Sequence, residues 1–162
     1  MPIFSVVDID ENLFGAAYAL VRTAMPDVSA KQWYDYARHA RDDGGLLGLV
    51  GAQGTLFGFL SYRNGESLRY GRVLHIDHFV TFELSRSAPG RRALCEVVEA
   101  LARQQGCAAI EVRLDGGGYA LCDTAKARCW HELGHALDGV VFTKPLAAGI
   151  GTSRAAESCQ AT

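Results

Sequence analysis

The chain has no cysteines spaced C-x-x-C, no apolar run long enough to span a bilayer and no excess of basic residues. Each absence removes a class of function. Its five cysteines, Cys95, Cys107, Cys122, Cys129 and Cys159, are odd in number and follow no repeating interval. That argues against a disulfide framework or a cysteine-clamped metal and fits reduced thiols inside a cell, with Cys95 and Cys107 expected in the core. The opening "MPIFSVVDIDENLF" has no basic region ahead of an apolar run, and no later stretch reaches the roughly 18 apolar residues of a membrane span. A formal charge of −2 gives no net attraction to phosphate backbones or anionic lipid. The expectation is a soluble, cytoplasmic protein without nucleic-acid or membrane partners. Proline is scarce, with four in the chain, and Pro26 and Pro89 fall where helices are expected to stop and start.

What is present suffices for one ordinary core: 162 residues, 49% hydrophobic and 21% charged. Leu13, Phe14, Ala17, Leu20, Val21 and Ala24 share a helical face, predicting a helix over 11–24. Ser29, with Gln32 three residues on, reads as a capping box opening a second helix over 30–42, closed by a glycine pair. Short apolar segments rich in aromatic and β-branched residues predict antiparallel strands near 46–51, 55–62 and 72–83, with turns at Ala-Gln-Gly and Asn-Gly. Gly48 and Gly58, inside the first two, suggest a bulge or close backbone approach. Pro89 then opens a helix whose apolar face is Leu94, Val97, Val98 and Leu101, and a strand over 107–114 follows, expected parallel to the one before it. A loop "DGGGY", a helix over 120–133 closed by Gly134 and a returning strand over 135–146 complete the pattern, with a short opening strand at "IFSVVDI". The class is α/β (α+β), a mixed, mostly antiparallel central sheet flanked by helices. Residues 1–146 form a single domain on this reading, and 147–162 lack apolar periodicity and are expected to be a disordered tail.

"HELGH" fits H-E-x-x-H, in which two histidines one helical turn apart hold zinc and the glutamate activates water. That chemistry needs His131, Glu132 and His135 on one continuous helix and a third ligand. Gly134 is a helix stop, so His135 is expected beyond the helix end and no metal is expected.

The strand "LHIDHFVTFE", the turn "SRSAPGRRAL", the strand "CAAIEVRLD", the segment "ARCWHELGH" and the close "VVFTKPL" together resemble the GNAT superfamily of N-acetyltransferases. The resemblance runs over residues 3–146 and implies a GNAT-like acyl-CoA N-acyltransferase fold. It also implies acetyl-CoA as co-substrate without metal, a small-molecule or protein amine as acceptor, direct attack in a ternary complex, and a homodimer. Arg86 takes the first position of the family's R/Q-x-x-G-x-G/A loop, and Ser87, Ala88, Gly90, Arg91 and Arg92 complete a coenzyme cradle. The physics of such a cradle is general: a helix start carries unpaired N–H groups and partial positive charge. Pro89 and Arg91 stand where the family has small glycines, and Pro89 removes one donor. The resemblance assigns the oxyanion donors to backbone N–H groups around Phe79, Val80 and Thr81, and puts Trp130 at the family's tyrosine, Gly134 at its glycine and His135 at its phenylalanine.

A general base must take the amine's proton, and the central strand offers Asp77 and His78. Strand alternation puts Asp77 on one face with His75 and His78 on the other. Indole is no acid, so either Tyr119 or Cys129 protonates the leaving thiolate in place of Trp130, or the thiolate departs unaided. Trp130 itself packs against the pantetheine or the core. Trp33, Tyr34, Tyr36 and His39 on the second helix read as core or pocket, and Asp42 and Asp43 as an attraction for amines or a helix end. Two rival readings accompany this one: a module of the same fold that binds acyl-CoA without catalysis, and a zinc hydrolase.

Overall fold

The computed structural model describes residues 3–82, 88–113, 125–137 and 139. The chain divides into two compact units, Met1–Asp115 and Gly116–Thr162.

Two helices of the first unit follow the signals that predict them. Helix α1, Phe14–Ala24, buries Phe14, Ala17 and Val21. It starts later than the apolar spacing suggests because Asp10 folds the preceding residues into a turn, its side chain accepting from the Asn12 amide at 3.0 Å and its carbonyl from Leu13 at 3.0 Å. Helix α2, Ala30–Asp43, opens on the expected capping box: the Ser29 amide donates to Gln32 Oε1 at 2.8 Å and the Gln32 amide donates to Ser29 Oγ at 3.3 Å.

Among the described residues five strands, β1 (Phe4–Asp8), β2 (Gly44–Gly51), β3 (Leu56–Ser67), β4 (Gly71–Thr81) and β5 (Ala109–Val112), form one sheet in chain order. All neighbours are antiparallel except β4 and β5, which lie parallel and are joined through helix α3, Pro89–Gln104. The expected turn at Asn64–Gly65 is corrected: β3 continues to Ser67, and the chain reverses before Gly71, which adopts φ +72°. Gly65 serves the sheet, since a Cβ there would collide with the imidazole of His75, its diagonal neighbour on β4. Gly58 meets the expectation of close approach: a Cβ would lie 2.6 Å from the Val80 carbonyl oxygen, beside a register shift that leaves Phe57 outside the β2–β3 pairing.

The sheet separates two cores. On one face α1 and α2 pack Phe14, Ala17, Val21, Trp33 and Ala37 against Leu46 and Phe59; on the other α3 packs Leu94, Val98 and Ala102 against Leu47, Leu49, Leu60, Leu74 and Ile76. Cys95 is buried as expected, whereas Cys107 is only half-buried, its Sγ 3.7 Å from Asn64 Oδ1. Among the described residues no helix is long and apolar enough to cross a membrane.

In the second unit, helix α4 spans Ala125–Glu132. Gly134, at φ +84°, ends it: the Gly134 amide donates to the His131 carbonyl at 2.9 Å and the His135 amide to the Trp130 carbonyl at 2.9 Å, a Schellman closure. The expected strand over 135–146 lies largely outside the described residues, and the tail 147–162 wholly so.

Candidate active site

The chemistry-bearing part of the sheet is the second half of β4, where its pairing with β3 slips by one residue. Ser61 faces His78 and Tyr62 faces Ile76, leaving Asp77 as an extra residue: a β-bulge. The bulge reverses the alternation beyond it. Before it, Leu74 and Ile76 point into the α3 core; after it, Phe79 joins that core while Val80 packs against the α1–α2 core. This corrects the expectation that Asp77 and His78 occupy opposite faces. Both turn toward the α1–α2 side, as their partners show.

His78 meets α2. Its ring stands edge-on to Tyr36, with centroids 5.3 Å apart, and the Tyr36 hydroxyl is 2.7 Å from Ser61 Oγ. Ser61, opposite His78 in register, is 1% exposed, so this contact satisfies a buried hydroxyl and fixes the tyrosine ring against the imidazole. Asp77 is engaged otherwise: Arg63 Nε donates to its Oδ2 at 2.9 Å. Further down the same face His75 Nδ1 lies 3.0 Å from Glu111 Oε2, across the β4–β5 register pair. The aromatic group of α2 thus divides. Trp33 is core, its indole donating to the Phe14 carbonyl at 2.8 Å; Tyr34 packs on Phe14; Tyr36 reaches the strand residues; and His39 is exposed, with a ring nitrogen 2.7 Å from the Asp35 carbonyl. Asp42 and Asp43 are exposed at the helix end, and an open cleft of about 460 Å³ lined by Glu11, Phe14, Arg38, Arg41 and Asp42 lies beside that end and includes neither Asp77 nor His78.

The described pairing of β4 with β5 ends at Ile76 and Val112, capped by an Arg113 amide donating to the Ile76 carbonyl at 2.8 Å, while β4 runs on to Thr81. Backbone direction along that extension follows from the Phe82 amide, which donates to the Phe57 carbonyl of the adjoining strand at 2.8 Å. In an antiparallel ladder alternate residues face one neighbour. His78 and Val80 therefore turn their amides to β3, and Phe79 and Thr81 turn theirs to the β5 side. Of the three expected oxyanion donors, Val80 is accordingly corrected.

Helix α3 begins near this strand end in sequence. Ala88 is its N-cap at φ 43°, ψ 57°, a left-handed conformation that costs a non-glycine residue about 1–2 kcal/mol. Pro89 occupies the first helical turn, where its fixed φ suits the backbone, and contributes no N–H. The Arg92 amide closes the first turn on the Ala88 carbonyl at 3.1 Å. The leading amides are thus those of Gly90, which is buried, and Arg91, with the Arg91 and Arg92 side chains adding charge. A helix start of this kind fits a diphosphate. Arg86 and Ser87 lie outside the described residues.

In the second unit Trp130 is 6% exposed and its ring stands edge-on to His135, with centroids 5.3 Å apart. Cys129 is half-buried on α4, and Tyr119 lies outside the described residues. His131 and Glu132 are on the helix and His135 is past its stop, so the single-helix geometry that H-E-x-x-H requires is not formed.

Sequence reasoning did not find the bulge, the Arg63–Asp77 pair, the Ser61–Tyr36 contact or the His75–Glu111 pair. One signal for the bulge was available: apolar residues at 74, 76 and 79 break the period of two by one residue.

No protein-family model and no curated protein matches the chain. Solved structures do. An aminoglycoside N-acetyltransferase in complex with CoA is similar at a TM-score of 0.71 and 11% identity, over 89% of this chain and 95% of that one. A ribosomal-protein-alanine N-acetyltransferase from Brucella melitensis biovar Abortus is similar at 0.67 and 13% identity, over 88% and 98%. A GNAT family acetyltransferase from Staphylococcus aureus is similar at 0.62 and 16% identity, over 88% and 98%. The strand order, the parallel β4–α3–β5 unit and these likenesses agree: this chain has the fold of the GNAT acetyltransferases.

Proposed function

We propose that this chain is an N-acetyltransferase that moves an acetyl group from acetyl-CoA to the amine of a small molecule or a protein. The observation that carries the reading is the bulged extension of β4 past its described pairing with β5, which turns the His78 imidazole to one face and the Phe79 and Thr81 amides away from β3. Fold alone does not name an activity; this arrangement supplies the groups that acyl transfer needs.

The coenzyme's diphosphate is held by the Gly90 and Arg91 amides with the charge of Arg91 and Arg92. The Val80 amide, turned to β3, plays no part; the Phe79 and Thr81 amides, turned away from β3, donate to the carbonyl oxygen of the thioester as it gains negative charge. The acceptor nitrogen attacks the carbonyl carbon, forming the C–N bond, and His78 takes the proton that nitrogen gives up. Collapse of the intermediate breaks the C–S bond. The thiolate leaves without a protein acid: in sequence Trp130 takes the position of the tyrosine in the resembling family, and an indole has no usable acidity. Asp77 is passed over as base because its Oδ2 already accepts from Arg63 Nε at 2.9 Å.

Amine-dependent release of free thiol from acetyl-CoA, matched by N-acetylated product in mass spectrometry, is the test. Release with at least one primary amine is expected. A second reading, an acyl-CoA-binding module without catalysis, is favoured by Pro89, which withholds an amide at the cradle, and predicts coenzyme binding with no release from any amine.

A further inference from the structure

Arg63 is an expensive residue to place in the middle of a sheet, and its use by the fold is partial. Its Nε donates to Asp77 Oδ2 at 2.9 Å, yet the side chain remains 49% exposed while Asp77 is 25% exposed. Nε is the atom that meets the carboxylate, and among the described residues the Nη groups keep their donors for other partners. They do so on the α1–α2 face of the sheet. Along β3, Arg63 is two residues from Ser61, the register partner of His78, which is about 7 Å of strand. Gly65, two residues further on, keeps the strand surface beside the guanidinium low, with Arg63 Nη1 3.7 Å from where a Cβ would stand. The neighbouring carboxylate on this floor, Glu111, is taken by His75 at 3.0 Å. A fork whose Nη groups donate to none of the described residues, anchored by Asp77 and next to an imidazole, suits an incoming anion.

We propose that Arg63 anchors an anionic group, a carboxylate or a phosphate, on the acceptor, so that the preferred substrates are amines carrying such a group on a short skeleton. This rests on the acyl-transfer reading with His78 as base. Asp77 orients the guanidinium, Arg63 is the specificity-determining residue, and the spacing sets the acceptor's length: amine at His78, anion at the Nη groups. The guanidinium also disfavours an ammonium ion nearby, which helps the acceptor shed its proton.

The test uses matched amines with acetyl-CoA: 4-aminobutyrate against butylamine for a carboxylate, and phosphoethanolamine against ethanolamine for a phosphate. At least one anionic member is expected to exceed its partner in kcat/KM by about tenfold or more, the usual size of one charged hydrogen-bonding contact. Arg63→Met brings that ratio to near one, and Arg63→Lys, which keeps the charge but loses the planar fork, leaves it in between. A wild-type ratio at or below one in both pairs, or a ratio that survives Arg63→Met, overturns the proposal. Binding is read separately, by the shift of the Arg63 Nε–H NMR signal in the CoA-bound protein on titration with each amine. Absence of turnover with an Arg63 shift confined to the anionic members sinks the transferase reading and leaves the anchor standing; turnover without discrimination sinks the anchor alone.

Discussion

The two faces of the sheet are built from different materials. The α3 face is aliphatic, with Leu47, Leu49, Leu60, Leu74 and Ile76 meeting Leu94 and Val98, and its strand residues obey the simple alternation. The α1–α2 face begins the same way, with Phe14, Trp33 and Phe59, then gives way beyond Phe59 to Ser61, Arg63, His75, Asp77 and His78. Both faces carry a buried core, but only the second adds a row of polar and titratable side chains to it, and the bulge at Asp77 is what lets β4 contribute to both. Without it His78 would point into the aliphatic core, where an imidazole costs free energy, and Phe79 would point at Tyr36.

Substitutions on either side break this comparison if it is wrong. His78→Gln is expected to lower kcat by about 10²–10⁴, the usual worth of a positioned general base, measured as thiol release at saturating acetyl-CoA. Leu74→Ala on the aliphatic face is expected to cost about 2–5 kcal/mol in denaturant unfolding, because it leaves a cavity in a fully buried cluster. Gly58→Ala probes the boundary between the faces. Its methyl carbon would lie 2.6 Å from the Val80 carbonyl oxygen, backbone that has to shift, so the expected loss is about 1–3 kcal/mol, and the movement reaches β4 just past the bulge, where activity falls with stability.

The smallest effect lies on the solvent side of α2. A hydrogen bond from Lys31 holds the Asp35 carboxyl below its usual range. A depressed carboxylate stabilises the fold above the ordinary value and loses that contribution as pH falls through the folded one. Lys31→Ala is expected to raise the Asp35 pKa in an NMR titration and to leave stability at neutral pH nearly unchanged, because the pair is exposed.

Much of the frame was legible in the sequence because periodicity, caps and breakers are local. Ser29 with Gln32 gave α2 its start, Pro89 began α3, Gly134 ended α4, and the helix between β4 and β5 required parallel strands. The site was less legible because its geometry depends on pairing between distant residues. Asp77 and His78 stood out for their chemistry, but strand alternation put them on opposite faces and the structure puts them on one, since alternation holds only where the ladder is unbroken. Arg63 carried no signal at all: as a lone cation in a strand it acquires meaning only when the fold brings Asp77 beside it. Asn64–Gly65 misled in the other direction, a turn dipeptide retained in a strand because His75 needs the room.

The pH dependence of kcat/KM for wild type, His78→Gln and Asp77→Asn tests the central claim most directly. The acidic limb of the wild-type profile is expected to persist in Asp77→Asn, whereas His78→Gln is expected to lose it and keep only the rise that the acceptor amine's own deprotonation gives. A limb that survives the loss of His78 and disappears with Asp77 would contradict the assignment.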